Sequence, residues 1–407
     1  MIKWIRFIKL FKNIFGKDLP DLDKIQKQGL LAIKIGQTFA LRIDFLGEEK
    51  CTHLAKLYSH TDAVSAETFD RLIDEHVDTS WRDNFSSIEQ TPVGSASVGQ
   101  VHRAKLKTGE DVVIKIIKGD FKKKFIKDVR SFRRFIKFII FFYRKLQRVA
   151  DPIGILEHIE TYTLAELDLR NEMKNSKKLQ EIKRKNEEHF DFKRLKFPKI
   201  YEDLSSEHVL VSEFIDGHTV DDLIQKQALS KDDLLDIFRL HGFYIFLVGT
   251  FHGDIHPGNI IYHNDNYYLI DTGAISTVGE TIQTGLFNFM KHLSYYEYEQ
   301  CATALNEMAE IGIEGKKFDK YYTKLLKLYE DFEGSTVSEI SLTKKMMQTI
   351  KLGVISGMQF EKGMFPIIKS MMYLDGIVLK GAPNMVLMEE MRQFIEGFES
   401  SKAEVVK

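Results

Sequence analysis

The stretch that decides the fold is HGDIHPGNIIYHNDNYYLIDTG, which runs from His252 to Gly273. It places Asp254 five positions before Asn259, and a predicted hairpin then leads to Asp271. Transfer of a phosphoryl group from ATP needs a carboxylate that accepts the hydroxyl proton, together with an amide oxygen and a second carboxylate that hold magnesium. The segment therefore predicts Asp254 as the catalytic base, and Asn259 and Asp271 as metal ligands.

The order and spacing of these groups match the kinase pattern H-R-D-x-x-x-x-N followed by D-F-G. A turn at Pro257 and Gly258 sets the separation of Asp254 from Asn259. A purely structural interpretation would make Asp254 and Asn259 the caps of a loop. Several independent spacings agree with each other, however, and they favour phosphoryl transfer.

A zinc site is the competing interpretation, because His252 and His256 are four positions apart, as in zinc sites built on a helix. A helix here would carry Gly253 in its interior and Pro257 close behind, and both residues disfavour it. The two imidazoles are therefore not expected to share a helical face. His252 is interpreted as a hydrogen-bonded structural residue, not as a proton carrier.

A cation for the α and β phosphates is predicted upstream. Lys115, in VVIKI, occupies the place of the kinase V-A-I-K lysine, and Glu172 in AELDLRNEMKN is its natural ion-pair partner. The alternatives are a solvated lysine and a solvated acidic helix face. The loop PVGSASVGQ, from Pro92 to Gln100, has backbone amides that can approach phosphate closely, although it can equally be a tight hairpin. Its predicted nucleotide-binding residues are Val93, Gly94, Ser95, Ala96, Ser97, Val98 and Gly99.

The chain is long enough for more than one ordinary domain. With 407 residues, 43% of them hydrophobic, it can bury a substantial core, and two lobes are expected. Helical spacing at 21–80 and 121–184 flanks a β-hairpin at 93–117, and a buried strand at 208–217 precedes a mostly helical remainder. The predicted segments are a basic amphipathic helix at 1–18, a helical extension at 19–90, an N-lobe at 91–215 and a C-lobe at 216–407.

Charge and cysteine usage narrow the function classes. Lys and Arg number 58 against 59 Asp and Glu, so the formal net charge of -1 offers no overall field for nucleic acid. Cys51 and Cys301 form neither a CxxC pair nor a metal-ligand spacing, which suits a reducing compartment and predicts a cytoplasmic protein. No apolar run is long enough to span a bilayer as a helix. The nearest, FIKFIIFFY at 135–143, is interpreted as a buried or interfacial helix.

The opening sequence, MIKWIRFIKLFKNIFGK, separates on a helical wheel into two faces. The apolar face contains Trp4, Phe7, Ile8, Phe11 and Phe15, and the opposite face contains Arg6, Lys9 and Lys12. Such a helix either lies on an anionic membrane surface, a contact predicted for residues 1–17, or docks on its own domain. The pattern is the same in both cases and leaves both open.

Four motifs, taken in order, resemble the UbiB/AarF family of atypical kinases over nearly the whole chain from Gly29 onward. They are KxGQ at Lys34, Gly36 and Gln37, the small-residue loop PVGSASVGQVHRA, the ExD motif at Glu166–Asp168, and HGDIHPGN. The long insert between Lys115 and Glu172 fits the family's helical insertion. Where the family usually has alanines, this chain has Gly94 and Ser95, and Thr272 replaces the phenylalanine of the DFG-like triplet.

The resemblance implies an α+β, protein-kinase-like two-lobed fold with an N-terminal helical extension and a helical insert in the N-lobe. It directs Lys34 and Gln37 into the active site near Glu166, and it assigns nucleotide binding also to Glu213, Phe214 and Ile215. The implied cofactors are ATP and Mg²⁺. ATPase activity in support of isoprenoid quinone or other membrane-lipid metabolism is expected ahead of protein phosphorylation, with a lipid-like or quinone-precursor ligand as partner.

Two other functions share part of the pattern. A small-molecule phosphotransferase of the aminoglycoside or choline kinase type has the same HGDxHPGN and IDTG residues, but it does not require the KIGQ run at 34–37 or the VGQVH run at 98–102. A nucleotide-binding pseudokinase scaffold is the second alternative. Because Lys115, Asp254, Asn259 and Asp271 are all present, the sequence gives no support for a loss of catalysis.

Overall fold

The computed structural model describes residues 2–40, 46–58, 63–143, 152–360, 364–402 and 404–405. Its α-helices are α1 (Ile2–Phe15), α2 (Leu22–Lys27), α3 (Leu30–Ala40), α4 (Glu48–Ala55), α5 (Ala66–His76), α6 (Lys122–Phe142), α7 (Pro152–Glu166), α8 (Leu169–Asn186), α9 (Val220–Gln225), α10 (Lys231–Gly242), α11 (Glu280–Ser294), α12 (Tyr298–Glu307), α13 (Lys316–Leu328), α14 (Leu342–Ser356), α15 (Met364–Gly381) and α16 (Leu387–Ser401). Its strands are β1 (Phe85–Ser95), β2 (Gly99–Leu106), β3 (Asp111–Ile117), β4 (Leu195–Lys196), β5 (Val209–Glu213), β6 (His218–Thr219), β7 (Thr250–His252), β8 (Ile260–His263), β9 (Asn266–Leu269) and β10 (Ile275–Thr277).

The chain forms two compact units. The first contains Met1–Lys174 and Pro198–Phe214, and the second contains Asn175–Phe197 and Ile215–Lys407. Both units contain helices and antiparallel strand pairs, so the predicted α+β class is confirmed. The finer division into four segments stays a prediction.

The sheet of the first unit has the strand order β1-β2-β3-β5, and all its pairs are antiparallel. Val112, Ile114 and Val211 are fully buried on one face, where they form a core with Phe69 and Ile73 of α5. The predicted hairpin at 93–117 is confirmed as β2 and β3. The sheet begins earlier than predicted, at Phe85, because the polar strand β1 is largely solvent-exposed and lacks the apolar alternation that marks a strand in sequence.

Helices α1, α3, α6 and α7 make the second core of this unit. Phe7 on α1 packs on Phe132 of α6, with 4.8 Å between ring centroids, and Leu31 and Ile35 of α3 belong to the same cluster. Arg6 also reaches α6, where its Nη2 atom lies 3.1 Å from Asp128 Oδ2. The N-terminal helix is therefore docked on its own unit.

The docked stripe of α1 overlaps the predicted apolar face in part, because Trp4, Phe7 and Phe11 of that face pack on the core. Phe7, Leu10 and Ile14 are almost completely buried, whereas Ile8 and Phe15 remain 44% and 42% exposed. Apolar residues occur on more than one side of the helix, so the wheel alone does not show which stripe packs. The exposed residues leave an apolar surface beside the docked stripe.

The predicted interfacial helix at 135–143 is the second half of α6. Phe135 and Ile136 pack inside the unit, while Phe141 and Phe142 are 71% and 63% exposed. Charged residues recur along this helix and interrupt its apolar run. Within the described ranges, no helix combines the length and apolar character that crossing a bilayer requires.

In the second unit, α10, α11 and α16 surround the 243–248 segment, which forms a buried π-helical turn. The phenylalanines of this core, including Phe238, Phe246 and Phe398, are fully buried. Two small sheets lie in this unit, with strand orders β4-β9-β8-β6 and β10-β7. The predicted hairpin is confirmed as β8 and β9. Its two-residue turn has positive φ at Asn264 (47°) and Asp265 (59°), the conformation for which Asn and Asp are selected.

Candidate active site

The loop that carries the predicted catalytic residues is closed at its base by β7 and β10. His252 pairs with Ile275 across these strands, and the Gly253 amide donates to the Ala274 carbonyl over 2.8 Å. Inside the loop, the register of β8 and β9 puts Ile260 opposite Leu269. The hairpin therefore brings the residues after Leu269, including Asp271, back beside Asn259.

The ring of His252 holds the two arms of this loop together. Its Nδ1 atom accepts a hydrogen bond of 3.0 Å from the Asp254 amide, so Nε2 carries the proton that it donates to the Asp271 carbonyl. The ring is buried, and burial lowers the pKa of His252, which keeps this neutral tautomer. His252 is thus the hydrogen-bonded structural residue that the sequence indicated.

These contacts also argue against the zinc interpretation. Both nitrogens of His252 are engaged by backbone groups, which leaves no lone pair for a metal. Nδ1 of His256 accepts from the Gly258 amide at the start of the turn. In the described part of the chain, no three His, Cys, Asp or Glu side chains cluster as metal ligands.

The predicted magnesium ligands flank the base of the β8–β9 hairpin. The Ile270 amide donates to the Asn259 carbonyl over 3.1 Å, which brings Asn259 next to Asp271. The side-chain amide of Asn259 donates to the Asp254 carbonyl over 3.1 Å, so its oxygen is directed away from that contact. Oδ1 of Asp271 accepts from the Gly273 amide over 3.1 Å. Both side chains are half-buried and present oxygen, the donor atom that Mg²⁺ prefers.

Asn175, on α8, fixes the segment after Asp271. Its side-chain amide donates to the carbonyls of Thr272 and Gly273, over 3.0 and 3.2 Å. Thr272 is buried, so the residue that replaces the DFG phenylalanine is an internal part of the unit. Asn175 has no signal in the sequence, because nothing in its local pattern distinguishes it from the other polar residues of α8.

Asp254 has a partner that the sequence did not reveal. Nζ of Lys369, on α15, lies 3.0 Å from Oδ1 of Asp254, and the two side chains are only 9% and 21% exposed. Oδ1 is buried and, within the described residues, accepts no well-aligned hydrogen bond, so the contact is an ion pair. Burial by itself would raise the pKa of Asp254, but the charge of Lys369 outweighs it and the pKa of this carboxyl is lowered.

In the first unit, Lys115 lies in the middle of β3, opposite Leu210 of β5. Its Nζ atom is 2.7 Å from Oε2 of Glu172, on α8, and Glu172 is buried. The predicted pairing of these residues is therefore confirmed, although 57 positions separate them. A lysine held in this way has a fixed direction, as a phosphate-binding lysine requires.

The KxGQ residues divide between two tasks. Lys34 forms an ion pair with Glu166, at the end of α7, as the resemblance implied. Gln37 is buried and donates to the Leu57 carbonyl over 2.9 Å. A Cβ atom on Gly36 would meet Leu57 Cδ1 at 2.6 Å. Gly36 and Gln37 therefore hold the short turn at 56–58 against α3, and the approach of Gln37 to Glu166 stays a prediction.

The small-residue loop is a β-hairpin turn, so the hairpin interpretation of PVGSASVGQ is correct. Ser95 pairs with Gln100, and the Ala96 amide donates to the Gly99 carbonyl over 2.8 Å. Val93, Gly94 and Ala96 are exposed, whereas Val98 and Gly99 are buried. The exposed residues at the tip of this hairpin remain compatible with the predicted contact to phosphate.

Gln100 and His102, in the VGQVH run, make hydrogen bonds within the first unit. Gln100 Oε1 accepts from the Val64 amide over 2.8 Å, and its nitrogen contacts His102 Nε2 at 2.7 Å. Nδ1 of His102 lies 2.8 Å from the Glu89 carbonyl, and its ring stacks on Phe69. Burial lowers the pKa of His102, so a neutral ring links the hairpin to α5.

The other residues with a predicted nucleotide role follow β5. Glu213 ends this strand opposite Val112, and the Phe214 amide donates to the Asp111 carbonyl over 3.1 Å. Arg103 lies over the Phe214 ring, 4.2 Å from its centroid. Glu213 and Phe214 end a segment of the first unit and Ile215 begins a segment of the second, and their nucleotide role stays a prediction.

The fold and the order of these groups define a kinase-like phosphotransferase. Residues 56–305, more than half of the chain, match the model of the ABC1 atypical kinase-like domain. The chain belongs to this family of atypical kinases, the UbiB/AarF family.

Several known proteins are similar to the chain over nearly its whole length. The "Probable protein kinase UbiB" of Shewanella baltica is 26% identical over 403 residues, which cover 97% of this chain and 71% of that protein. A Clostridium pasteurianum protein, described as an uncharacterized protein in the hydrogenase 1 5′ region, is 23% identical over 380 residues, with 91% and 69% covered. The solved structure of Rv3197 from Mycobacterium tuberculosis in complex with erythromycin has a TM-score of 0.50 and 20% identity, and covers 86% of this chain and 92% of that one. It supports the predicted kinase-like fold.

The buried ring of His241 predicts how stability depends on pH. Its Nε2 lies 2.6 Å from Ser370 Oγ, and burial lowers the pKa of His241 from 6.5 to about 3. Because the unfolded chain binds this proton more readily, the stabilisation is complete above pH 6.5 and is lost as pH falls toward 3. Urea titrations should show the free energy of unfolding falling by about 1.4 kcal/mol per pH unit for each such ring. His241→Gln removes one titrating group, so it should make this decrease shallower by about 1.4 kcal/mol per pH unit. An unchanged slope would contradict the assignment of a buried neutral ring to His241.

Proposed function

We propose that the protein binds Mg-ATP and acts as an atypical kinase or ATPase. The observation that carries the proposal is the loop of the second unit, in which His252 bonds to the backbone at Asp254 and Asp271, while the Asn259 side chain donates to the Asp254 carbonyl. These three residues follow each other in the order that phosphoryl transfer needs. Fold alone would not support an activity, since one fold hosts many functions. The proposal therefore rests on the side chains.

Each residue of the loop has a proposed task. Asp254 receives the hydrogen of the acceptor hydroxyl or water, and its carboxylate is kept charged beside Lys369. Asn259 and Asp271 would hold magnesium, and their contacts to the Asp254 carbonyl and the Gly273 amide restrict their orientations. When bound, the metal neutralises the charge of the phosphates.

In the first unit, Lys115 is the proposed cation for the α and β phosphates, oriented by Glu172. The exposed backbone at 93–97 is proposed to lie along the phosphates. Lys34 is proposed to restrain the nucleotide or exclude bulky acceptors, because Glu166 holds its ammonium in one direction. Both lysines are mostly buried, so their charges are less screened than those of surface lysines.

The acceptor is proposed to be water or a lipid-like molecule instead of a protein. The support is indirect: the family's KxGQ residues are present, and curated relatives carry the name UbiB. We accordingly propose a role in isoprenoid quinone or other membrane-lipid metabolism. Nucleotide turnover with and without lipid vesicles and candidate phenolic lipids is the most direct test of this choice.

A peripheral membrane contact is proposed through α1 and the end of α6. Ile8, Phe11 and Phe15 line one side of a shallow groove of about 530 Å³, and Phe135 and Ile139 line the other. The exposed side chains of Phe141 and Phe142 extend the same apolar surface along α6. Lys9, Lys12 and Lys137 are exposed on these helices and can attract anionic lipid.

The proposed metal site predicts the effect of Asp271→Asn. The substitution removes the charged ligand and keeps the side-chain size, so magnesium-dependent ATP turnover should fall by a factor of at least about 100, within the range that acid–base and electrostatic groups contribute. The temperature of unfolding should stay close to that of the wild type. A variant with wild-type turnover and unchanged magnesium dependence would exclude Asp271 as a ligand.

Lys115→Ala should weaken ATP binding, because it removes the proposed phosphate cation and leaves Glu172 buried without this partner. We expect a several-fold rise in the dissociation constant, measured by isothermal titration calorimetry with Mg-ATP. Lys105→Ala is the matched control, since Lys105 lies on β2 and its side chain is 50% exposed. Equal affinities of the Lys115 and Lys105 variants would refute the role of Lys115.

Membrane binding is tested with sedimentation of vesicles that contain or lack anionic lipid. Phe141→Ser should lower the partition coefficient about tenfold, which corresponds to the loss of about 1.4 kcal/mol of apolar burial. Ile355→Ser is the matched control, because Ile355 is 67% exposed on α14 of the second unit. Added salt should weaken binding to the anionic vesicles. If both variants bind as the wild type does, the surface on α1 and α6 is not the membrane contact.

A further inference from the structure

Helix α15 carries a lysine inside an apolar setting. Its sequence, MFPIIKSMMYLDGIVLKG, contains Lys369 five residues after its start, and the side chain of Lys369 is only 9% exposed. A buried ammonium is costly unless an opposite charge compensates for it. Here the compensating charge is the carboxylate of Asp254, 3.0 Å away.

Attachment of α15 to the catalytic loop does not require this charge. Ser370 Oγ donates to the His252 carbonyl over 3.3 Å, and its contact with His241 Nε2 is 2.6 Å long. The ring of Tyr373 meets that of His256 edge-on, with 5.4 Å between the centroids. These neutral contacts already join the helix to the loop. A buried ion pair is also weak evidence for stability, because apolar residues of the same size often stabilise as well.

The charge of Lys369 has a more specific consequence for Asp254. Phosphoryl transfer passes through a loose transition state, in which the attacking hydroxyl is only slightly deprotonated. The carboxylate therefore needs a fixed position more than a high proton affinity, and a misplacement of 1 Å is sufficient to lower the rate considerably. Oδ1 of Asp254 has no well-aligned hydrogen bond among the described residues, so the ammonium of Lys369 is the group that restrains it.

We propose that Lys369 is a positioning residue for phosphoryl transfer, which holds the Asp254 carboxylate in place from a helix more than 100 positions further along the chain. The inference rests on the proposed function, because it assigns to Asp254 the task of receiving the acceptor hydrogen. It does not involve Lys369 in the binding of ATP. The expected defect of a Lys369 variant therefore lies in kcat, with the KM for ATP conserved.

The test compares three substitutions in the full-length protein. Lys369→Met removes the charge and keeps an unbranched chain, Lys369→Arg keeps the charge, and Lys380→Met removes an exposed lysine from the same helix. We expect Lys369→Met to lower kcat by about 10- to 100-fold with KM within about twofold. Lys369→Arg should recover at least part of kcat, and Lys380→Met should match the wild type. A Lys369→Met enzyme with wild-type kcat, or an Arg variant as slow as the Met variant at equal unfolding temperature, would overturn the proposal.

A second measurement separates failure of this inference from failure of the proposed function, because it does not need turnover. Thermal unfolding is compared for Lys369→Met, Asp254→Asn and the double variant. Each single change leaves the other charge buried without this partner, so the double variant should unfold at a higher temperature than the sum of the two shifts predicts. Strict additivity would show that the side chains are not coupled and would refute the positioning role. Coupling in a protein without ATP turnover would support the restraint of Asp254 and refute only the enzymatic assignment.

Discussion

The loop at 252–273, which carries the predicted catalytic residues, depends on the neutral ring of His252. One nitrogen accepts from the Asp254 amide and the other donates to the Asp271 carbonyl, so a single side chain fixes the backbone at both predicted functional carboxylates. Asparagine cannot reproduce both contacts over the same span, and a protonated ring cannot accept from the amide. Burial lowers the pKa of His252 and keeps its ring neutral, and the loop therefore depends on this burial for both hydrogen bonds.

The residues of the KxGQ motif make different kinds of contact. Lys34 is the only one of its three defined residues whose described contact is an ion pair, with Glu166. Gly36 permits the close approach of Leu57, and Gln37 binds the carbonyl of that residue. The motif thus consists of one directed charge and the packing that fixes the helix carrying it. The sequence motif does not show that its residues have different roles, whereas their contacts in the structure do.

Features that depend on consecutive residues could be predicted from the sequence, whereas most long-range contacts could not. The β8–β9 hairpin inside the 252–273 loop was predictable, because its two apolar strands and the Asn264–Asp265 turn lie in consecutive residues. The pairing of Lys115 with Glu172 was predictable only because a known kinase pattern supplies it. The docked stripe of α1 was predictable only in part, because a helical wheel does not show that Leu10 and Ile14 are buried while Ile8 and Phe15 stay exposed.

The contacts that the sequence did not reveal come from distant helices. Asn175 and Lys369 reach the loop from α8 and α15, and Asn175 resembles the other polar residues of its helix. For Lys369 a signal did exist, since an isolated lysine among the apolar residues of α15 needs a partner. The sequence does not identify that partner, because the contact joins positions separated by more than 100 residues.

Three lysines of the described structure, Lys34, Lys115 and Lys369, share an arrangement: each is mostly buried and each faces a carboxylate. Burial alone is not a sign of function, because Lys345 is equally enclosed and binds the Leu328 carbonyl and Asp331, which closes a turn. The difference lies in the partners. Glu166, Glu172 and Asp254 each stand in a pattern that the sequence connects with phosphate chemistry, whereas Asp331 stands in none. Because a buried lysine pair contributes little net stability, the effect that we infer for these three pairs is the fixed direction that each gives to a charge.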